Sequence, residues 1–85
     1  MQKFCYVIKD EVGIHARPAG LLVKEAKKYG CRITIAKGEK SADATRLMAL
    51  MSLGVKCGDE VEVQVEGDDE ADVCEEMKSF FEANL

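Results

Sequence analysis

The only histidine of the chain, His15, lies where a helix is predicted to begin. Leu22, Val23 and Ala26 recur at helical spacing, and Pro18 fits a helix only within its first turn, so the helix should start at about residue 16. The first N–H groups of a helix have no partner within the helix, and the helix dipole adds positive charge there. An anion beside His15 would therefore be stabilised.

A phosphoryl group on a ring nitrogen of His15 is the chemistry that this position favours. Its oxygens would reach the backbone amides of Ala16 and Arg17, and the guanidinium of Arg17 would add a permanent charge whose geometry suits phosphate. Spacing alone leaves a second interpretation open, in which His15 is a helix cap without chemistry.

Thiol and metal chemistry have weaker support. The four cysteines lie far apart, and no two have C-x-x-C spacing; they are Cys5, Cys31, Cys57 and Cys74. We predict reduced thiols that act as small apolar residues, rather than disulfides or a zinc site. The acidic run over 66–76 lacks the ligand spacing of a calcium loop and indicates helix capping and solvation. No metal and no cofactor are expected.

The elements that must position His15 follow from periodicity. Alternating apolar residues predict strands over 2–8, 32–37, 40–44 and 60–66. The first helix should end with Gly30 near its C-cap, and a short helix over 46–53 should stop at Gly54. A last helix should follow the acidic cap over 67–70. The residues expected to share one of its faces are Ala71, Cys74, Met77, Lys78 and Phe81.

The element order βαββαβα predicts an α+β fold, an open-faced β-sandwich. In it, a four-stranded antiparallel sheet is covered on one side by three helices. The 85 residues, of which 47% are hydrophobic, are enough for a single domain over 1–85.

The charge is distributed unevenly along the chain. Residues 1–58 hold eleven of the twelve Lys and Arg, whereas residues 59–85 hold eleven of the sixteen Asp and Glu. The net charge of −4 argues against a general nucleic-acid binder. The basic part could meet an acidic partner or a phosphate, or the two parts could form solvated faces. No apolar run approaches a membrane span, so we expect a cytoplasmic protein without membrane insertion.

Two motifs resemble those of HPr, the histidine-containing phosphocarrier family of the bacterial phosphoenolpyruvate-dependent sugar phosphotransferase system. Gly13-Ile14-His15-Ala16-Arg17-Pro18-Ala19 resembles the active-site signature of the family, and Leu47-Met48-Ala49-Leu50-Met51-Ser52-Leu53-Gly54-Val55 resembles its second motif. The element order and length agree with the family from Met1 to Leu85.

The resemblance implies a phosphoryl carrier rather than an enzyme. His15 would accept a phosphoryl group on its δ nitrogen from phospho-Enzyme I and pass it to IIA domains of sugar permeases, with Arg17 steadying the phosphate. The protein is expected to be a monomer. The implied apolar docking patch comprises Leu47, Met48, Met51, Ser52 and Leu53. The cationic residues expected near His15, to steer acidic partners, are Lys24, Lys27 and Arg46.

Other interpretations remain open. The apolar cluster over 47–53 could be plain core packing. The protein could also be a regulatory or paralogous interaction module of the same fold, without general sugar-transport flux. Arg46 occupies the position where Gram-positive relatives carry a regulatory serine, with Thr45 as a weak substitute, so kinase control is not expected. Val12 stands where relatives often have a small polar residue.

Overall fold

The structure, a computed structural model, describes residues 1–85 and consists of four strands and three helices. The strands are β1 (Gln2–Val7), β2 (Arg32–Lys37), β3 (Lys40–Asp43) and β4 (Glu60–Glu66). The helices are α1 (Ala16–Lys27), α2 (Leu47–Ser52) and α3 (Glu70–Asn84). All strands pair antiparallel in one sheet with the order β1-β4-β2-β3. The predicted α+β open-faced sandwich and its βαββαβα order are confirmed.

The strand β4 forms the centre of the sheet because it pairs with β1 on one side and β2 on the other. Apolar and polar residues alternate regularly along it, and Val61, Val63 and Val65 are fully buried beneath the helices. Opposite them, Phe4 pairs with Val63 and Ile33 pairs with Val65, so apolar side chains of three strands share the covered face. This face and the inner sides of the helices form one cluster of 21 buried hydrophobic residues.

Helix α3 buries three of the five residues predicted to share its inner face, Cys74, Met77 and Phe81. Val73, Cys74, Met77 and Phe81 are buried, whereas Ala71 and Lys78 are exposed. With 3.6 residues per turn, Ala71 lies about 120° and Lys78 about 100° around the helix from Met77, beyond the stripe that meets the sheet. The prediction for these two residues was wrong because Val73 was left out of the helical pattern.

A glycine with positive φ follows the C-cap of α2 but not that of α1. Gly54 follows the C-cap of α2 with φ of +65°, as expected for a glycine that ends a helix. Helix α1 instead ends at Lys27 with Lys28 as its C-cap, and Gly30 does not have positive φ. Gly30 therefore lies two residues beyond the cap and does not form a left-handed one.

All four cysteines are free thiols, but they occupy two kinds of environment. Cys31 and Cys74 are buried, and burial raises the pKa of both thiols. Cys74 packs as the small apolar residue predicted, whereas the Cys31 thiol also donates to the Asp68 carbonyl oxygen at 2.9 Å. Cys5 and Cys57 are exposed, so that prediction was wrong for these two. None of the helices is long and apolar enough to span a bilayer.

Gly13 sets the position of the turn before α1. Its N–H donates to the Asp10 carbonyl oxygen at 3.0 Å, and its φ is +80°. A Cβ at this position would lie 2.3 Å from the Val55 carbonyl oxygen, which also accepts the Ile14 N–H at 3.1 Å. The absence of a side chain at Gly13 therefore lets the turn pack against the segment that follows α2.

Gly13→Ala should lower the free energy of unfolding by about 3 kcal/mol, since it adds a steric clash with the backbone to the cost of a positive φ. Gly38→Ala is the matched control, because Gly38 has φ of +59° with no atom within 4 Å of its would-be Cβ. This control should lose only about 1 kcal/mol. Urea denaturation of both variants measures the difference, and equal losses would contradict the packing described for Gly13.

Candidate functional site

His15 is the N-cap residue of α1. Its backbone is extended, and its carbonyl oxygen accepts the Ala19 N–H at 2.9 Å, which is the first hydrogen bond of the helix. The imidazole makes no capping hydrogen bond, and 36% of the side chain is exposed. The ring is therefore accessible to a reacting group, whereas the backbone of His15 is fixed by the helix.

The first amides of α1 are free. The N–H groups of Ala16 and Arg17 donate to no backbone or side-chain acceptor, and Pro18 has no N–H. No acidic residue occupies the first turn to neutralise them. Two unpaired donors and the positive helix end therefore lie directly after the imidazole, as the sequence predicts, and they suit an anionic group.

An open depression of about 640 Å³ lies beside His15, between the turn over residues 9–12, the first turns of α1 and the end of α3. Its charged lining residues are Lys9, Asp10, Glu11 and Arg17. Arg17 is exposed and takes part in no ion pair, so its guanidinium is available to a ligand. The Asp10 Oδ1 lies 3.9 Å from the His15 Nε2.

Helix α2 divides its apolar residues between the core and the surface. Leu50 and Leu53 are buried, whereas Leu47 and Met51 are more than one-third exposed and Met48 is 73% exposed. Core packing therefore holds for Leu50 and Leu53, and the exposed residues are available for contact with a partner. Leu53 belongs to the core, so its place in the exposed docking patch was wrong.

Helix α1 packs against α2. The hydrogen bond from Ile14 to Val55 also ties the residue before His15 to the end of the second motif. Ser52 is exposed, and its hydroxyl donates to the Met48 carbonyl oxygen at 2.7 Å. The exposed residues of this helix form the α2 patch, which consists of Leu47, Met48, Met51 and Ser52.

The predicted steering cations are exposed and form no ion pairs with this chain. Lys24 follows Arg17 by seven residues, so it lies on the same side of α1, about 10 Å further along the helix. Lys27 lies further along α1 than Lys24 and on a different side of the helix from Arg17. Arg46 is the N-cap of α2 and immediately precedes the α2 patch.

Asp43 fixes the start of α2. Its Oδ1 accepts the Thr45 hydroxyl at 2.6 Å and the Thr45 N–H at 2.9 Å, and its carbonyl oxygen accepts the Arg46 N–H at 3.0 Å. The hydrogen bonds from Thr45 lower the pKa of Asp43, with smaller contributions from the charges of Arg46 and Arg32. The Thr45 hydroxyl is thus already occupied as a donor.

Lys37 fixes the other end of α2. Its Nζ donates to the Gly54 carbonyl oxygen at 2.9 Å and pairs with the Asp59 Oδ2 at 2.9 Å. That oxygen also accepts the Lys56 N–H, and together these contacts lower the pKa of Asp59. The short helix that carries the exposed patch is therefore held at both termini by polar contacts.

Sequence reasoning did not select Asp10 or Leu21 as site residues. Leu21 is 43% exposed and lines the depression, and its signal is a large apolar residue four positions after Arg17 on the outer side of α1. Asp10 is five residues before His15, and no sequence periodicity reveals that the turn brings it back to the ring. The chain has no cluster of three or more His, Cys, Asp or Glu side chains that could hold a metal ion.

Comparison with known proteins gives a consistent result. Residues 2–83 match the family model described as the PTS HPr component phosphorylation site. The phosphocarrier protein HPr of Mycoplasma capricolum subsp. capricolum is 44% identical over 69 residues, which is 81% of this chain and 78% of that protein.

Solved structures show the same likeness. The crystal structure of HPr from Thermoanaerobacter tengcongensis aligns with a TM-score of 0.92 and 37% identity, covering 99% of this chain and 94% of that one. A crystal structure of an HPr dimer from the same organism aligns with a TM-score of 0.76 and 37% identity, covering 98% and 95%.

Asp43→Asn should make the free energy of unfolding less sensitive to acid. The pKa of Asp43 is lowered in the folded state, so its stabilising effect is present above the unfolded value near pH ~4 and is lost as the pH falls through the folded pKa. Asparagine keeps an oxygen that can accept the Thr45 bonds. Urea denaturation at several pH values between 7 and 3 should show a smaller acid loss for the variant, and identical pH profiles would contradict the account.

Proposed function

Because the chain belongs to the HPr family of phosphocarriers, we propose that His15 accepts a phosphoryl group from phospho-Enzyme I and passes it to IIA domains of sugar permeases. The observation that carries the proposal is the pair of unpaired amides of Ala16 and Arg17 directly after an accessible imidazole. A phosphoryl group on that ring would meet two N–H donors and the positive end of α1.

A phosphoryl group moves from phospho-Enzyme I to His15. The lone pair of the His15 Nδ1 attacks phosphorus, and the bond between phosphorus and the donor atom of Enzyme I breaks, leaving its electron pair on that atom. Arg17 and the two amides stabilise the oxygens of the transferred group. Attack by an acceptor on an IIA domain then reverses these changes on His15. The protein is regenerated after each transfer and acts as a carrier, with no cofactor required.

The surface around His15 suits partners that are acidic and partly apolar. The α2 patch supplies exposed methionine and leucine, whose flexible or apolar side chains adapt to more than one partner. Lys24, Lys27 and Arg46 supply unpaired positive charge around it, which would accelerate and orient the encounter with acidic domains. We infer that Enzyme I and the IIA domains bind this surface in turn, with the carrier acting as a monomer.

Phosphorylation of a hydroxyl group at position 46 is excluded by chemistry, since arginine has none. Thr45 is a poor substitute because its hydroxyl donates to Asp43, and a phosphate there would lie next to that carboxylate. We infer that this carrier operates without the kinase control that a serine at position 46 would allow.

The His15→Ala variant should lose phosphoryl acceptance completely, because the chain has no second histidine. The wild-type protein, incubated with phosphoenolpyruvate and Enzyme I, should gain the mass of one phosphoryl group, and brief acid treatment should remove it. Intact-mass spectrometry measures both outcomes.

The circular dichroism spectrum and Enzyme I binding of the variant serve as controls for folding. Phosphorylation that survives in His15→Ala would contradict the proposal. A wild-type protein that binds Enzyme I but gains no mass would favour the interaction-module hypothesis instead.

Met48→Asp should weaken binding to Enzyme I by about tenfold or more, since it places a negative charge in an exposed apolar contact. It should not destabilise the fold, because aspartate is favourable in the first turn of a helix. Ala71→Asp is the matched control, as Ala71 occupies the corresponding exposed position of α3, about 18 Å along that helix from the depression. Titration calorimetry measures both affinities, and equal losses would contradict docking on the α2 patch.

A further inference from the structure

We propose that Asp10 is a positioning residue that keeps the proton of His15 on Nε2 and so presents Nδ1 as the nucleophile. The inference rests on the proposed carrier function. Its basis is the approach of the Asp10 Oδ1 to within 3.9 Å of the His15 Nε2, where no other carboxylate lies within 4 Å of the ring nitrogens.

Asp10 is held firmly at the start of the turn. Its Oδ1 accepts the Val12 N–H at 2.9 Å, its carbonyl oxygen accepts the Gly13 N–H at 3.0 Å, and its own N–H donates to the Leu85 carbonyl oxygen at 2.8 Å. These contacts leave the carboxylate little freedom to turn away from His15. The Val12 side chain offers no hydrogen bond to the ring, whereas its backbone N–H orients the group that faces it.

The separation of 3.9 Å is longer than a hydrogen bond but short enough for a charge to act on a ring proton. A negative charge on that side favours the tautomer with its N–H on Nε2, and that tautomer has its lone pair on Nδ1. Both side chains are about one-third exposed, so water screens the interaction and its effect should be moderate.

The reaction itself increases the importance of Asp10. As the Nδ1 lone pair forms the bond to phosphorus, the donor atom of Enzyme I leaves with the electron pair of the broken bond. The His15 ring, which still carries its Nε2 proton, becomes positively charged. The Asp10 carboxylate then faces a cation rather than a neutral ring, and the contact should tighten at this stage. When an acceptor removes the phosphoryl group, the electron pair returns to Nδ1 and the ring is neutral again.

The other charged groups of the depression do not have this position. Lys9, Glu11 and Arg17 line the same space, but Glu11 is not within 4 Å of a ring nitrogen. Arg17 lies on the helix side, with the amides that meet the phosphoryl oxygens. Glu11 is therefore a matched control of the same charge for the effect of Asp10.

The test compares Asp10→Asn with Glu11→Gln. Asparagine keeps an oxygen to accept the Val12 N–H, so the turn should persist, which the backbone amide spectrum verifies. The ¹⁵N chemical shifts of the neutral His15 ring report which nitrogen carries the proton. Asp10→Asn should increase the fraction protonated on Nδ1, and Glu11→Gln should leave the wild-type ratio unchanged.

Phosphoryl acceptance provides the second measurement. Asp10→Asn should lower the maximal rate of transfer from phospho-Enzyme I by about three- to tenfold, with little change in the half-saturating concentration of carrier. Glu11→Gln should retain the wild-type maximal rate. A tautomer ratio or a maximal rate that is the same in Asp10→Asn as in the Glu11→Gln control would overturn the inference. Such a result leaves the carrier function intact, since only loss of wild-type phosphorylation bears on that.

Discussion

The two unpaired N–H groups at the start of α1 are the feature on which the rest of the site depends. These N–H groups are unpaired because the helix begins directly after His15. Pro18 lies in the first turn and has no N–H, so it adds no third donor. A helix that began one turn earlier would use the amides of Ala16 and Arg17 internally. The turn over residues 10–13 prevents this, since Gly13 has positive φ and lies against the Val55 carbonyl. The turn and the segment after α2 thus determine where α1 can start.

The same packing that fixes the backbone at His15 also ties it to the segment that follows α2. Ile14 hydrogen-bonds to Val55, and Val55 directly follows the short helix that carries the exposed α2 patch. Asp43 and Lys37 hold the two ends of that helix, so its exposed apolar side chains project from a fixed support. Half of the acidic residues lie in β4 and α3, and the depression beside His15 is lined by charges of both signs. The unpaired cations of the proposed docking surface, Lys24, Lys27 and Arg46, lie on α1 and at the start of α2.

Much of this fold could be predicted from the sequence because its periodicities are strong. The alternation in β4 predicted that strand and the position of Pro18 predicted the start of α1, and the structure agrees with both. The face of α3 was predicted less well, since Ala71 and Val73 are both apolar and only the packing against the sheet decides between them. Leu53 could not be separated from its exposed neighbours because a helix of six residues gives too little pattern. The approach of Asp10 to His15 depends on a turn and on contacts with residues 55 and 85, which no local pattern contains.

The most direct test of the account follows the amide signals of the protein in a ¹H–¹⁵N spectrum before and after phosphorylation by Enzyme I. If the helix terminus holds the phosphoryl group, the N–H groups of Ala16 and Arg17 should show the largest downfield proton shifts in the chain, because each gains a charged acceptor. Unchanged signals for these two amides in a fully phosphorylated protein would contradict the central claim.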